Sequence, residues 1–459
     1  MQLPSQCASL PAKISRCVVA LALALAAAPV CAREDSESEL AQQLGSALAK
    51  KNFDGASRII EQLLLVGSAE AMEVICDHAF SANDADMERY TIDKLVDLPT
   101  DGPAVAKLSE IANRHKDFRV RVALMFALCM RSEPVAVTAL FQGLYDPMMA
   151  VARASLDSIK KRDSVLSVDA LIDALAQQEQ QGKSTDTLHF EIRAVLTYLT
   201  GESLEASLDW RNFWSMRKDN FQRPAADKRK ESKTYVRKDA PVFFGHEVSS
   251  KKLLFVLDIS ESMKKKDPLP EESGEPGKPG SDTGRTSVAK NGKTPKETPP
   301  EPPKQEDIPE SRQRLARLQK ELVGVIEKLP SDTHFDIVIF NNTVELFRPE
   351  LFDASKINKQ RAIEFVRNLR PSGDTHTDEA LDKAFEFRDI DSIFLLSDGA
   401  PRKDNVLLET APIVAKVRDT NRFRRIRIFT VGFEQMGKSL RDFMKALAYQ
   451  NNGSYRGLR

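Results

Sequence analysis

Residues 253–263 read Leu-Leu-Phe-Val-Leu-Asp-Ile-Ser-Glu-Ser-Met, an apolar stretch that runs directly into an Asp-x-Ser-x-Ser turn. The continuous apolar run favours a strand covered on both faces, as in a parallel sheet, over a half-exposed strand with alternating polar residues. Asp258 would then lie at the carboxyl end of the strand, where ligands bind in open α/β sheets. The oxygens of Asp258, Ser260 and Ser262 predict a site for a hard cation such as Mg²⁺, Mn²⁺ or Ca²⁺.

The turn alone is a weak signal, because about one chain in ten of this length would contain the pattern by chance. Two later segments strengthen it. Residues 393–401 are a second apolar run that ends in Ser-Asp-Gly, which places Asp398 at another strand end. Residues 371–381 are a glycine-containing loop that opens a helix, in which Thr375 and Asp378 have the spacing of a capping box.

Taken in this order, the three segments resemble the metal-ion-dependent adhesion site of the von Willebrand factor A (VWA) domain family. The resemblance implies that Ser260, Ser262 and Thr375 ligate the cation directly through their hydroxyl oxygens. It also implies that Asp258 and Asp398 act mainly through bound waters and by orienting the hydroxyls. With only two carboxylates facing it, the cation would keep one position open for an Asp or Glu of a partner protein, so a binding site is expected rather than a catalytic one.

The chain departs from the family pattern beside this site. Many family members have glycine where this chain has Glu261 and Asp374, so two additional acids are expected near the cation. His376 follows Thr375, and we interpret it as a surface residue at the helix start rather than a ligand, because the other donors are oxygens.

The remaining C-terminal half predicts an α/β fold with a doubly wound, mostly parallel sheet, because strand and helix patterns alternate. The resemblance to the VWA family covers about residues 245–459 apart from an insert. An antiparallel hairpin is predicted at residues 335–347, and Pro241 to His246 is expected to form a sheet edge. Further strands are predicted at 426–433 and 454–458, and helices at 311–329, 355–369, 404–418 and 439–449.

The insert, residues 264–309, contains ten of the chain's 24 prolines and has almost no apolar residues. Such a composition cannot bury enough surface to fold, so we predict a disordered segment. It begins immediately after the Asp-x-Ser-x-Ser turn. It is therefore expected to hang beside the cation site, as a tolerated insertion or as a cover.

The N-terminus predicts export. Lys13 and Arg16 precede an apolar run that is too short to span a bilayer, and small residues follow it, so residues 1–32 read as a signal peptide. Pro29 and Val30 are poor residues before a lipidated cysteine, so we favour cleavage over a lipoprotein anchor at Cys31. The mature chain is expected to be periplasmic or secreted, with no integral membrane segment.

Between leader and sheet, residues 36–215 predict an all-α domain that resembles HEAT repeats. Residues 117–123 and 146–154 have similar sequences at an offset of 29 residues, and residues 190–195 are weakly similar to both. A non-repetitive helical bundle stays an alternative. Residues 216–244 are a basic connector and are expected to be a solvated linker.

Charge and cysteine usage narrow the function further. The 67 basic and 67 acidic residues cancel, so no overall field points to nucleic acid or a membrane surface. Outside the leader only Cys76 and Cys129 remain, and both are expected to be buried free thiols. A disulfide between them stays an alternative in an oxidising compartment, although nothing in the spacing favours it.

These observations together predict an exported, non-enzymatic scaffold that binds an acidic group of a partner protein through a divalent cation, Mg²⁺ being favoured. One alternative is a Mg²⁺-dependent phosphotransferase or hydrolase that uses Asp258 and Asp398. Against it, Ser260 stands where a second acid would be needed. The other alternative is a scaffold that acts through the helical repeats alone.

Overall fold

The computed structural model describes residues 34–99, 102–225, 240–268, 308–403, 406–433 and 437–458. The predicted signal peptide 1–32, residues 226–239 of the connector and residues 269–307 of the insert lie outside the described residues. Within the described ranges, no helix is both long enough and apolar enough to cross a bilayer.

The chain divides into two compact units, residues 1–140 and 141–459. The boundaries predicted from the sequence, a helical domain at 36–215 and a VWA domain at 245–459, are placed at the change from helices to strands, and they stay predictions. The helices of the first unit are α1 (Glu34–Ala49), α2 (Phe53–Val66), α3 (Ala69–Ala79), α4 (Ala85–Val96), α5 (Pro103–Arg114), α6 (Phe118–Ala127) and the start of α7 (Pro134–Gly143).

Local sequence explains where these helices begin and end. Gly67, at φ 64°, closes α2 in the left-handed conformation, and the Ser68 hydroxyl accepts a hydrogen bond from the Ala71 N–H at 2.9 Å to start α3. Cys76 and Cys129 are buried free thiols, as predicted, and burial raises the pKa of Cys76. The all-helical character of this region is confirmed, whereas its HEAT-like repeat arrangement stays a prediction.

The second unit begins with four further helices, α8 (Met149–Arg162), α9 (Val168–Gln180), α10 (Thr187–Thr200) and α11 (Ser207–Arg217). Gly201, at φ 82°, ends α10. Trp210 and Trp214 of α11 are buried in an apolar cluster with Ile172, Leu196 and their neighbours. The two tryptophans are therefore packing residues of this cluster.

The main sheet has seven strands in the order β11-β10-β7-β3-β4-β5, with β6 also paired to β4. Strands β3, β4, β7, β10 and β11 are parallel, and β5 and β6 run antiparallel to β4 as the predicted hairpin edge requires. The strands are β3 (Lys252–Asp258), β4 (His334–Phe340), β5 (Val344–Leu346), β6 (Phe352–Asp353), β7 (Ser392–Leu396), β10 (Arg427–Phe433) and β11 (Tyr455–Leu458).

The helices that alternate with these strands are α12 (Arg314–Lys328), α13 (Lys356–Asn368), α14 (Thr377–Glu386), α15 (Thr410–Asn421) and α16 (Lys438–Gln450). Every residue of β7 is buried, and so is every residue of β3 after Lys252. Since successive side chains of a strand point to opposite faces, both faces of the sheet are covered. The predicted α/β class with a mostly parallel sheet is confirmed.

Two local predictions were wrong. Residues 404–418 were expected to be one helix, but β8 (Arg402–Lys403) and β9 (Val406–Leu407) form a small antiparallel pair, and the helix begins only at Thr410. Pro241 to His246 was expected to join the sheet edge, but β1 (Val242–Phe243) and β2 (His246–Glu247) pair with each other. Short segments of this kind carry too few residues for a periodicity to be read.

A buried ion-pair network ties α8 and α10 to the start of β10. Arg427 is 7% exposed, and its Nε lies 2.9 Å from Glu191 Oε1 while its Nη1 lies 3.1 Å from Asp157 Oδ1. Arg153 contacts Glu191 at 3.0 Å and donates to the backbone oxygen of Asp391 at 2.7 Å. Burial would raise the pKa of Glu191, but Arg153 and Arg427 outweigh it and hold that pKa below its ordinary value.

Glu191→Ala should lower the free energy of unfolding of the second unit by about 3–5 kcal/mol, because two buried guanidinium groups lose their shared partner. Both tryptophans of the chain lie in α11, so urea denaturation followed by tryptophan fluorescence reports on this unit. Asp173→Ala removes the exposed partner of Arg211 and should cost less than about 1 kcal/mol. Equal losses in the two variants would contradict the role of the network.

Asp336 is a second buried carboxyl group of the sheet. It is fully buried in β4, its Oδ2 accepts from the Arg348 N–H at 3.3 Å, and burial raises its pKa to about 7. Because this pKa lies above that of the unfolded chain, the fold favours the neutral acid, and stability is lost as the pH rises between about 4 and 7.

Asp336→Asn keeps the shape of the side chain and removes its titration. Between pH 5 and pH 8 the wild type should lose about 2–3 kcal/mol of stability relative to this variant. The comparison is made by urea denaturation at both pH values. A constant difference between the two proteins would show that Asp336 does not titrate in this range.

Candidate metal centre

The centre of the site is Asp258, the last residue of β3, whose side chain is fully buried. Its Oδ1 accepts the Ser260 N–H at 2.8 Å, and its Oδ2 accepts the Ser397 hydroxyl at 2.6 Å. Burial raises the pKa of Asp258, and the neighbouring Asp398 raises it further. A bound cation would act in the opposite direction, because positive charge favours the carboxylate.

Ser260 and Ser262 lie in the turn after β3, where residues 261–264 form a short 3-10 helix. Their hydroxyl oxygens are 2.9 Å apart, and the Ser262 hydroxyl donates to Asp398 Oδ1 at 2.6 Å. Adjacent ligands of an octahedral Mg²⁺ are about 2.9 Å apart when each lies at about 2.0–2.1 Å from the ion. The two hydroxyls are hydrogen-bonded to each other, and the same separation would let them share one Mg²⁺.

Thr375 approaches from the loop before α14. This loop is tied to the β3 turn, since the Ser372 N–H donates to Ile259 O at 2.8 Å and the Glu261 N–H donates to Gly373 O at 2.9 Å. Gly373 has φ 76°, and a side chain there would also collide with Asn342. Thr375 is buried, and a Cβ placed on Gly399 would lie 2.7 Å from its Oγ1. The threonine hydroxyl thus lies against the turn that carries Asp398.

Two predictions for this loop were wrong. Helix α14 begins at Thr377 with His376 at its N-cap, and no side chain caps it, so Thr375 and Asp378 do not form a capping box. His376 lies at the helix start as predicted, but it is 8% exposed rather than a surface residue. Its backbone N–H donates to Asn341 O at 3.0 Å, which holds this part of the loop against the end of β4.

The five predicted site residues converge on one edge of the sheet. Hydrogen bonds link Ser260 to Asp258 and Ser262, and Ser262 to Asp398, while Thr375 lies beside the Asp398 turn. Strand pairing explains the convergence, because β3 and β7 are parallel neighbours in which Leu257 pairs with Leu396. The chain leaves these two strands in opposite directions along the sheet, and that switch point is where α/β sheets bind ligands.

The sequence did not reveal a buried arginine at this site. Arg314, the first residue of α12, is 4% exposed, and its Nη1 donates to Asp398 Oδ2 at 2.6 Å. Its Nε donates to Asp267 Oδ1 at 2.9 Å, and Asp267 also contacts Arg317. Arg314 is separated from its two acids by 47 and 84 residues, and no motif joins them.

Of the two additional acids expected near the cation, Glu261 has an ion-pair partner of its own. The Glu261 side chain is exposed and lies 2.6 Å from the ammonium group of Lys264. Asp374 is half-buried, and its backbone N–H donates to the side chain of Asn342. Glu261 therefore faces solvent and a lysine.

The donor set suits a hard cation. All five candidate side chains offer oxygen, and three of them offer neutral hydroxyls. Within the described residues, no three His, Cys, Asp or Glu side chains cluster as ligands of one metal ion. A cation here would therefore depend on the hydroxyl oxygens. Once bound, it would supply positive charge at the ends of β3 and β7.

Comparisons with known proteins agree with the fold. The family model for the von Willebrand factor type A domain matches residues 309–457, which include Thr375 and Asp398 but not β3. The chain is 26% identical over 129 residues to human von Willebrand factor A domain-containing protein 3B. It is 28% identical over 142 residues to human inter-alpha-trypsin inhibitor heavy chain H2.

Each of these matches spans 28% of this chain, and they span 9% and 14% of the two relatives. Among solved structures, a von Willebrand factor type A protein from Catenulispora acidiphila is similar at 14% identity and a TM-score of 0.32, with 46% of this chain and 40% of that chain covered. The family match and the parallel sheet lead to one conclusion: this chain carries a von Willebrand factor type A domain after an all-helical region.

Proposed function

We propose that this chain is an exported, non-enzymatic scaffold that binds other proteins through a divalent cation in its VWA domain. VWA domains mediate protein–protein interactions, and many of them do so with a bound cation. The proposed cation is Mg²⁺, with Mn²⁺ or Ca²⁺ as alternatives, and its partner group is an accessible Asp or Glu. The proposed ligand set is Asp258, Ser260, Ser262, Thr375 and Asp398.

One observation carries the proposal. The Ser262 hydroxyl donates its proton to Asp398 Oδ1 and lies 2.9 Å from the Ser260 oxygen. Because the Ser262 proton is directed to the carboxylate, Ser260 donates to Ser262, and a cation would take the Ser262 lone pair that accepts this hydrogen bond. This is the arrangement that direct hydroxyl ligation with indirect carboxylate support requires.

The phosphotransferase or hydrolase alternative gains no such support. A nucleophilic carboxylate must approach its substrate, but Asp258 is fully buried and both of its oxygens accept hydrogen bonds. Export rests on the sequence of the leader alone. Recognition through the helical repeats alone also stays a prediction.

Ser262→Ala should weaken cation binding by about tenfold or more, because it removes one ligand and the hydrogen bond that orients Asp398. Isothermal titration with Mg²⁺ measures the effect, and competition with Mn²⁺ checks the site. Ser439→Ala, on the exposed start of α16, is the matched control and should bind as the wild type does. Unchanged affinity in Ser262→Ala would exclude this ligand set.

The open coordination position predicts selectivity for carboxylates. Two fluorescent peptide pools with a central Glu or Gln, random flanks that lack Asp and Glu, and amidated C-termini differ only in that group. The Glu pool should bind the wild type in Mg²⁺, be released by a chelator, and bind Ser262→Ala more weakly at the same Mg²⁺ concentration, as fluorescence anisotropy would show. Equal binding of the two pools would contradict carboxylate recognition.

A further inference from the structure

Arg314 divides its guanidinium between two buried acids. Nη1 lies 2.6 Å from Asp398 Oδ2, and Nε lies 2.9 Å from Asp267 Oδ1. The exposed side-chain fractions are 5% for Arg314 and 2% or less for both acids. Contacts between charges are strong in such surroundings, because little water screens them.

Asp398 is consequently engaged on both oxygens. Its Oδ1 accepts the Ser262 hydroxyl, and its Oδ2 accepts Arg314. The first contact orients a proposed cation ligand, whereas the second places a permanent positive charge on a carboxylate that would otherwise attract the cation. Two carboxylates and one guanidinium leave the site with a smaller negative charge than its five proposed ligands imply.

The position of Arg314 is fixed by two segments at the ends of the insert, residues 264–268 at its start and residues 308–313 at and just after its end. We call these two segments the stem. The Arg314 N–H donates to Lys265 O at 3.0 Å, and the Asp267 N–H donates to Arg312 O at 3.1 Å. Lys266 and Gln313 form an antiparallel bridge. The guanidinium also lies 4.9 Å from the centre of the Phe433 ring, at the end of β10.

We propose that Arg314 sets the cation affinity of the site by sharing its positive charge between Asp398 and Asp267. The inference rests on the proposed cation site and deepens it. A stronger contact with Asp267 weakens the contact of Arg314 with Asp398, so Asp398 attracts the cation more and the cation affinity rises. Without Asp267, Arg314 neutralises Asp398 more fully and the cation affinity falls. The stem of the insert thereby becomes part of the site's electrostatics.

Arg317 provides a matched control. It lies on the same helix, contacts the same Asp267, and its guanidinium lies 5.6 Å from the same Phe433 ring. The difference that matters is the direct contact of Arg314 with Asp398. Arg314→Gln and Arg317→Gln remove the same charge by the same substitution. Comparing them therefore distinguishes the effect of the direct contact with Asp398 from the general effect of removing one positive charge.

The test is a Mn²⁺ titration of the full chain, in which the electron paramagnetic resonance signal of free Mn²⁺ gives the dissociation constant. Circular dichroism checks the fold of each variant. Arg314→Gln should bind Mn²⁺ about tenfold more tightly than the wild type. Arg317→Gln leaves Asp267 to Arg314 but keeps the contact of Arg314 with Asp398, so it should tighten binding by less than about twofold. Asp267→Asn should bind more weakly, since it releases Arg314 to Asp398.

Unchanged or weaker binding by Arg314→Gln would overturn the inference, as would equal tightening in Arg317→Gln. If Arg314→Gln does not fold, Asp267→Asn decides: weaker binding supports the inference and unchanged or tighter binding overturns it. Binding by Arg314→Gln but not by the wild type supports it too. Absence of Mn²⁺ binding in both proteins would instead overturn the proposed cation site, and with it this inference.

Discussion

The parallel pairing of β3 with β7 forces two carboxyl groups into the same buried edge of the sheet. Leu257 pairs with Leu396, so Asp258 and Asp398 follow at neighbouring strand ends, and both are almost inaccessible to water. Two like charges in such a place are costly unless other groups compensate them. Four donors compensate these charges: the Ser260 N–H, the hydroxyls of Ser262 and Ser397, and the guanidinium of Arg314. The need to place these donors determines the geometry of the site.

The two acids have different hydrogen-bond donors, so their charges are compensated to different extents. Asp258 receives only neutral donors, from Ser260 and Ser397, so its charge depends on what else enters the site. Asp398 receives one neutral donor and one arginine, and the arginine is positioned by the stem of the insert. A cation ligated by hydroxyls between these acids would be held by geometry as much as by charge, and it would stay attractive to a partner carboxylate.

Much of the fold and of the candidate site could be predicted from the sequence because these parts have local signals. Long apolar runs predicted the strands β3 and β7, and the acids that follow these runs predicted Asp258 and Asp398 as site residues. The parallel sheet then brings together residues that are 140 positions apart, and no further information is needed to place them at one edge. The threonine loop followed from its order between the two strands.

The features that the sequence did not predict are polar contacts between segments that are far apart in the chain. Arg314 reads as one more charged residue of an amphipathic helix, and Asp267 as one more acid of a charged insert, yet they are paired and buried. Arg427 and Glu191 lie 236 residues apart in the same way. Charged residues have no periodicity that separates a buried pair from a solvated one, so only the assembled fold reveals such contacts.

The most direct measurement is the anomalous difference map of a crystal grown with Mn²⁺. A hydroxyl-ligated cation predicts one peak at about 2 Å from the oxygens of Ser260, Ser262 and Thr375, with Asp258 and Asp398 at longer, water-bridged distances. A peak at the exposed Glu261 instead, or no peak at the ends of β3 and β7, would contradict the account.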